Sequence, residues 1–262
     1  SNAKALPQHA IHLERLLPEL LSFEQPADRV VSRYFREEKQ LGNRDRALIA
    51  ESAFAILRRK NEFSQFASSG EGSQARRLAL LGLLSALSEG GLGSANRAES
   101  AIADLAHVLK AGEYEWLQRF ATVDPAALNP LVRNNLPEWL WDAFGKYPGE
   151  ESREELAKSL MHPALLDLRA NTMKTNREEL LAQMNALGGR YQAIPTPYAP
   201  DGVRIMGKPA LQNTPGFKAG MFEVQDEGSQ LLAYLLAPKR GEMVVDFCAG
   251  AGGKTLAIGA IM

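Results

Sequence analysis

Cys248 and Lys254, with Gly250, Gly252 and Gly253 between them, are the residues of this chain whose types and spacing come nearest to a chemical site. They fall in Asp246-Phe247-Cys248-Ala249-Gly250-Ala251-Gly252-Gly253-Lys254-Thr255, between the apolar run Glu242–Phe247 and Leu256-Ala257-Ile258. The run is too short for a helix, is bounded by Gly241 and Gly250 and contains adjacent β-branched Val244 and Val245, so it reads as a buried parallel strand. A ligand loop and a helix are its natural sequel. Glycines at 250, 252 and 253 permit positive φ and let backbone N–H groups approach a ligand, while the following helix points its positive end at the same place.

Three glycine-loop chemistries compete for such a segment. A phosphate-binding P-loop needs glycine where Cys248 stands. The dinucleotide pattern G-x-G-x-x-G starts correctly at Gly250 and Gly252 but ends on Thr255, and its acidic ribose partner would lie beyond the last residue. The third reading is a nucleoside ligand without a phosphate to cradle, such as S-adenosylmethionine. Resemblance adds to it. The ten residues from Asp246 to Thr255 look like the first motif of the RsmB/Sun-type RNA (cytosine-5)-methyltransferases, usually D-x-C-A-A-P-G-G-K-T, with Gly250-Ala251 in place of Ala-Pro. A second block, Phe222-Glu223-Val224-Gln225-Asp226-Glu227-Gly228-Ser229-Gln230-Leu231, resembles the V-Q-D-E-x-S-Q segment of the same enzymes. The resemblance implies that Cys248, Ala249, Gly250, Ala251, Gly252, Gly253 and Lys254 wrap the methionine and ribose part of S-adenosylmethionine.

The elements that must position this loop occupy the rest of the chain. At 262 residues and 45% apolar the sequence is an ordinary globular one, long enough for more than one domain. A net charge of −1 excludes a generally basic protein, so contact with RNA must come from local patches. No run is long and apolar enough to span a membrane, no signal peptide is visible, and Ser1-Asn2-Ala3 looks like a cleavage scar. One cysteine permits no internal disulfide and no cysteine-based metal site, which suits a reducing cytoplasm. The partners expected are RNA, ribosomal or transfer, with neither membrane nor metal.

From Leu6 to about Lys60 the pattern is helical. Leu13, Leu16, Leu17, Leu20 and Leu21 form one stripe broken by Pro18, Asp28 to Phe35 makes a short helix, and a longer one after Gly42 buries Leu48, Ile49, Ser52, Ala53, Ile56 and Leu57. It ends in Arg58-Arg59-Lys60, where cations suit a helix C-terminus on a solvated surface as well as they suit RNA. Leu41-Gly42-Asn43-Arg44-Asp45-Arg46 and Phe54-Ala55-Ile56-Leu57-Arg58 resemble the NusB-like domain at the front of these enzymes, which implies RNA contact by Arg44, Arg46, Arg58, Arg59 and Lys60. After a flexible Ser68–Gly72 joint, Ser73 caps a helix whose leucines cover nearly its whole circumference, the expected centre of the domain. A loop from Glu89 to Gly93 leads to Asn96 and a helix with Ile102, Leu105 and Leu109 inward, stopped at Gly112; His107 has no assigned role. Trp116, Trp139, Trp141, Phe120 and Phe144 read first as core.

Around Tyr147-Pro148-Gly149 the organisation changes. Ser152-Arg153-Glu154-Glu155 and Thr175-Asn176-Arg177-Glu178 have capping-box spacing, Pro163 ends the first of these helices, and Leu165–Asn171 reads as a strand. Its helix after Thr175 carries Leu180, Leu181, Met184 and Leu187 and closes at Gly188-Gly189, and extended pieces follow near Tyr191–Ile194 and Val203–Met206. Leu168-Arg169-Ala170-Asn171-Thr172-Met173-Lys174-Thr175 resembles the L-R-x-N-x-x-K-T segment that precedes the family's catalytic domain, implying that Arg169 and Lys174 meet RNA phosphates. The expected architecture is therefore multi-domain: an all-α NusB-like domain over 1–148, a small α+β, RRM-like domain over 149–221, and from 222 to 262 the start of a Rossmann-like α/β methyltransferase domain.

Family members attack cytosine carbon 6 with a cysteine thiolate and use a second cysteine in product release, and by the resemblance those cysteines come later than any residue here. Cys248 matches the cofactor-binding cysteine, not the nucleophile. The expectation is a truncated, inactive piece of the enzyme. The reading of another class is a standalone NusB-like RNA-binding protein with an incidental glycine loop.

Overall fold

The computed structural model describes residues 6–88, 95–146, 150–162, 164–207 and 209–262. Ser1-Asn2-Ala3, the Glu89–Gly93 loop, Tyr147-Pro148-Gly149 and Pro163 lie outside them, as does the Asn96 side chain. The chain forms two compact units, Ser1–His162 and Pro163–Met262. The expected change at 148 thus falls before the last helix of the first unit.

The first unit is helical. Its elements are α1 (Leu6–Leu20), α2 (Ala27–Glu37), α3 (Asn43–Arg58), α4 (Lys60–Phe66), α5 (Gln74–Leu87), α6 (Ala95–Leu105), α7 (Glu113–Ala121), α8 (Pro130–Arg133), α9 (Glu138–Phe144) and α10 (Glu150–Ser159). α5 is central, as its all-round leucines require: Leu78, Leu80, Leu81, Leu83 and Leu84 are buried, and it packs on α1 and α3. Gly82 permits that packing, since a Cβ there would stand 2.6 Å from Ile56 Cδ1 and 2.8 Å from the Ser52 carbonyl oxygen. Ser73 caps α5 by accepting from the Arg76 N–H. The Ser68–Gly72 segment is no loose joint, because Arg77 donates to the carbonyls of Ala67 and Gly70 at 2.8 and 3.1 Å.

Buried polar groups tie the helices together. Arg76 donates from Nε to Glu113 Oε1 (2.9 Å), from Nη2 to Glu113 Oε2 (3.0 Å) and to the Val108 carbonyl (2.7 Å), and from Nη1 to Glu14 (3.3 Å). Two expectations fail here. Trp139 is 70% exposed while Trp116 and Phe120 are core, because α9 is a short helix with no buried residue. α10 begins at Glu150, so Ser152 is not its cap, and Glu154 is instead clasped by Arg133 and by Asn134 Nδ2 at 3.0 Å.

His12 of α1 makes this unit sensitive to pH. Nδ1 of buried His12 shares a hydrogen bond with Tyr34 Oη at 2.7 Å, and burial pushes its imidazole below the ordinary value of 6.5 against the opposing pull of Glu38. With the folded-state value the lower one, the unfolded chain binds more protons below about pH 6.5, so His12's contribution is present above that value and is lost as pH falls. Denaturant midpoints at pH 7.5 and 5.5, values chosen roughly to bracket the imidazole, should therefore differ, with the lower stability at the acid end. His12→Gln should shrink that difference; a difference of unchanged size would remove His12 as its source.

The second unit contains β1 (Leu166–Ala170), α11 (Arg177–Leu187), β2 (Ala193–Pro195), β3 (Gly202–Ile205), α12 (Pro215–Lys218), β4 (Phe222–Val224), α13 (Glu227–Leu236) and α14 (Gly253–Ile261). The antiparallel sheet runs β2-β3-β1-β4, the β-α-β-β-α-β order of a ferredoxin-like fold. Leu168, Ala170, Val203, Ile205 and Phe222 of the sheet bury one face against Leu180 and Met184 of α11. Asn176, not Thr175, caps α11 by accepting from the Glu179 N–H.

β4 shifts the expected boundary at 221/222, since Phe222, Glu223 and Val224 pair with Ala170, Arg169 and Leu168 and complete this sheet. The expected strand at Glu242–Phe247 is not formed. That segment has no ladder partner among the described residues, and Met243, Val245 and Phe247 are 95%, 79% and 96% exposed.

Candidate functional site

The glycine loop is shaped from both ends by one side chain. Asp246 Oδ1 accepts from the Cys248 N–H at 3.2 Å and Oδ2 from Thr255 Oγ1 at 2.8 Å, linking the entry of the loop to the first turn of α14. Gly250 (φ 52) and Gly252 (φ 85) take left-handed backbone conformations, and the Gly252 N–H closes the turn on the Ala249 carbonyl at 2.7 Å. Gly252 is the N-cap of α14. Cys248, Ala249, Gly250, Ala251 and Lys254 are exposed, with Gly252 and Gly253 half-buried. A depression of about 370 Å³ beside the loop is lined by Leu232, Ala233, Val244, Asp246, Cys248 and Lys254, among others. Such a turn presents backbone N–H donors and a helix N-terminus to a small ligand with an acceptor group.

The V-Q-D-E-x-S-Q block carries out another task. Asp226 caps α13 by accepting from the Ser229 N–H. Glu227 Oε1 accepts from the backbone N–H groups of Tyr198 and Ala199 at 2.6 and 2.9 Å. Burial pushes the Glu227 carboxyl up, but these donors and Arg204 outweigh it and hold the group below its ordinary range. Gln230 donates to the carbonyls of Leu168 and Gln225 at 3.2 and 2.8 Å, and Gln225 Oε1 accepts from Arg169 Nε at 2.8 Å. The block thus docks α13 on the sheet face opposite α11. It also leads toward the loop: a Cβ on Gly253 would lie 3.7 Å from Gln225 Nε2.

That same face corrects the expectation for Arg169. It is 3% exposed, paired with Glu223 as well as Gln225, and presents no surface to a phosphate. Beside it Arg204 grips buried Asp167 through Nε and Nη2 at 2.8 and 2.9 Å. The RRM comparison stops at topology, because ion pairs and α13 occupy the face on which an RRM stacks bases. Lys174 is exposed and donates to the Ala219 carbonyl at 2.8 Å.

The basic residues expected on the helical unit are only partly available. Arg59 makes a bidentate pair with Glu62 at 2.8 and 3.0 Å, Arg58 pairs with Glu51 at 3.1 Å, and Arg46 donates to the Leu41 carbonyl at 2.9 Å. Arg44 and Lys60 are exposed. The order of the three residues Arg58-Arg59-Lys60 also matters: Arg58 ends α3, whereas Lys60 opens α4, where a cation gains nothing from the helix dipole. Sequence reading passed over the arginines of α2, where Arg29, Arg33 and Arg36 line one side of a shallow depression of about 360 Å³. Their spacing of four and three residues was the available signal.

Residues 136–212 match the family model of the RsmF/B-like methyltransferase ferredoxin-like domain, a span that holds β1, α11, β2 and β3 and stops short of β4. Curated relatives agree. The chain is 33% identical over 155 residues to the probable ribosomal RNA small subunit methyltransferase B of Bacillus subtilis, covering 59% of this chain and 34% of the relative. It is 27% identical over 232 residues to the ribosomal RNA small subunit methyltransferase B of Klebsiella pneumoniae, covering 83% and 53%. Over these spans the chain is similar to the ribosomal RNA small subunit methyltransferases B. It spans about a third to a half of the length of these relatives. The fold extends to a solved structure, PH0851, with a TM-score of 0.63 at 20% identity over 98% of this chain and 61% of that one. No helix among the described residues is long and apolar enough to cross a membrane.

Proposed function

We propose that the chain is the leading part of a cytoplasmic S-adenosylmethionine-dependent RNA (cytosine-5)-methyltransferase that acts on ribosomal RNA. The helical unit, to His162, forms a NusB-like RNA-holding domain, the residues from there through β4 the small α+β domain, and the residues after β4 the entry to a Rossmann-like catalytic domain. The glycine turn fixed by Asp246 carries this reading, because it offers a close backbone and an unpaired helix N-terminus without the residues of a phosphate loop. The names of the relatives support ribosomal RNA over transfer RNA.

Cys248 through Lys254 would hold the methionine and ribose part of the cofactor, which supplies an electrophilic methyl group. The role of this chain is to bind and orient. Asp246 holds the loop in shape through the Cys248 N–H and the Thr255 hydroxyl, and the free N–H groups at the start of α14 suit a carboxylate. Cys248 is placed by the backbone of the turn, and no histidine lies in the loop to act as its base.

In the full-length enzyme, Cys248→Ala should therefore keep methyl transfer at saturating cofactor and raise the cofactor KM by roughly tenfold, the effect of about 1.4 kcal/mol of lost contact. The assay is transfer of labelled methyl from S-adenosylmethionine to small-subunit RNA, with the product base located by bisulfite sequencing. Absence of 5-methylcytosine overturns the reaction assigned. Loss of turnover in Cys248→Ala at saturating cofactor, or a covalent adduct of 5-fluorocytosine RNA on Cys248, overturns the role given to that residue.

A further inference from the structure

Phe23 sits where a helix normally ends in glycine. It follows α1 with φ 57, a left-handed conformation that bulky residues rarely adopt, and its side chain is 59% exposed. The turn is fixed around it: Ser22 Oγ donates to the Glu19 carbonyl at 2.8 Å and accepts from the Glu24 N–H at 3.3 Å. A strained backbone that holds an aromatic ring out in water does nothing for the core. It needs another account.

The surroundings of the ring supply one. Lys60 Nζ stands 5.3 Å from the ring centroid, although Lys60 occupies the first position of α4, where the helix dipole disfavours a cation. Next to Phe23 begins α2, whose Arg29, Arg33 and Arg36 fall on one stripe facing away from buried Val30 and Val31. Arg33 is held by Glu19 and by Gln25 Oε1 at 3.2 Å, while Arg29 and Arg36 are exposed and enter no ion pair among the described residues. Asp28 is the acidic member of this depression, and its place in the first turn of α2 assigns its charge to that helix end.

We propose that Phe23 and Lys60, with the arginine stripe of α2, form a binding site for an unpaired segment of RNA: one base stacks on Phe23 while Arg29, Arg36 and Lys60 meet phosphates. The proposal rests on the RNA reading given above and names the surface and the form of RNA that it takes. An aromatic face is tolerant of base identity, and the cations track the backbone, so the site reads single-strandedness and not sequence. A base-paired stem offers no free face to Phe23.

Binding of the whole chain to a short single-stranded RNA and to a duplex of the same length, followed by fluorescence anisotropy, tests this. Phe23→Ala should weaken the single strand by roughly tenfold and leave the duplex unchanged, and Phe23→Tyr should restore it. Phe23→Gly relieves the left-handed backbone, so it should raise the denaturation midpoint and still lose the same affinity, which separates binding from folding. Glu at both Arg29 and Arg36 should weaken strand and duplex alike and reduce the salt slope by about 1.4 on the single strand. If the wild-type chain binds RNA and Phe23→Ala binds it equally, the stacking site is wrong and the RNA reading stands. If the wild-type chain binds neither RNA at low salt, RNA holding by the helical unit fails with it. Photo-crosslinking of 5-bromouridine RNA should reach the Phe23 peptide; crosslinking of that peptide in small subunits to a ribosomal protein instead of RNA overturns the proposal.

Discussion

Arg76→Ala is expected to cost the helical unit about 3–5 kcal/mol, enough to leave much of a marginal domain unfolded. The guanidinium is 10% exposed and the Glu113 side chain 2%, so neither charge has water to fall back on. Burial alone would push the Glu113 carboxyl up; the Arg76 hydrogen bonds and the Lys110 N–H outweigh it and hold the group below its ordinary value of 4.5. Without Arg76 that balance reverses and the Val108 carbonyl also loses its donor. A paired Arg76→Met, Glu113→Leu variant should recover most of the loss, since the cost comes from a lone buried charge and not from a missing attraction. Urea unfolding of the three proteins decides it. A loss below about 1 kcal/mol in Arg76→Ala would class the pair with surface bridges.

Residues that act through their neighbours in sequence were legible. The leucines of α5 announce a helix buried on all sides, Ser73 announces its start, and β1, β3 and α11 follow from periodicity and turn residues. What failed depends on partners distant in the chain. Val244 and Val245 have the composition of a buried strand, but a strand exists only when another lies beside it. β4 was hidden inside a family motif because its three residues are too few to alternate, and only pairing with Ala170, Arg169 and Leu168 defines it. The same blindness affects charge. Sequence distinguishes an arginine from a leucine but not a free arginine from one held by Glu62, and it gave no sign that Phe23, in a stretch of polar residues, would be turned outward. The turn of the glycine loop was legible because left-handed backbone is what glycine favours, and Gly250 and Gly252 adopt it.

Arg169→Ala gives the sharpest separation between a structural arginine and an RNA contact. On β1, between β3 and β4, its Nε bonds to Gln225 and its Nη2 to Glu223, and the side chain is 4% exposed. Truncation strands the Gln225 amide and the Glu223 carboxylate on a face covered by α13. Glu223 keeps 27% exposure and can regain some water, which places the expected cost near the lower end for a broken buried pair, about 3 kcal/mol. Lys174→Ala removes an exposed ammonium and should change stability by no more than about 0.5 kcal/mol. RNA affinity then divides the two. Lys174→Ala, fully folded, should lose affinity by a small factor that vanishes in high salt. Arg169→Ala should lose affinity only in proportion to the fraction unfolded, and a folded Arg169→Met, Glu223→Gln protein should bind as the wild type does. If Arg169→Ala is as stable as the wild type and weakens RNA binding, the guanidinium leaves its pocket to meet the phosphate, and the buried pair is a resting arrangement instead of a structural one.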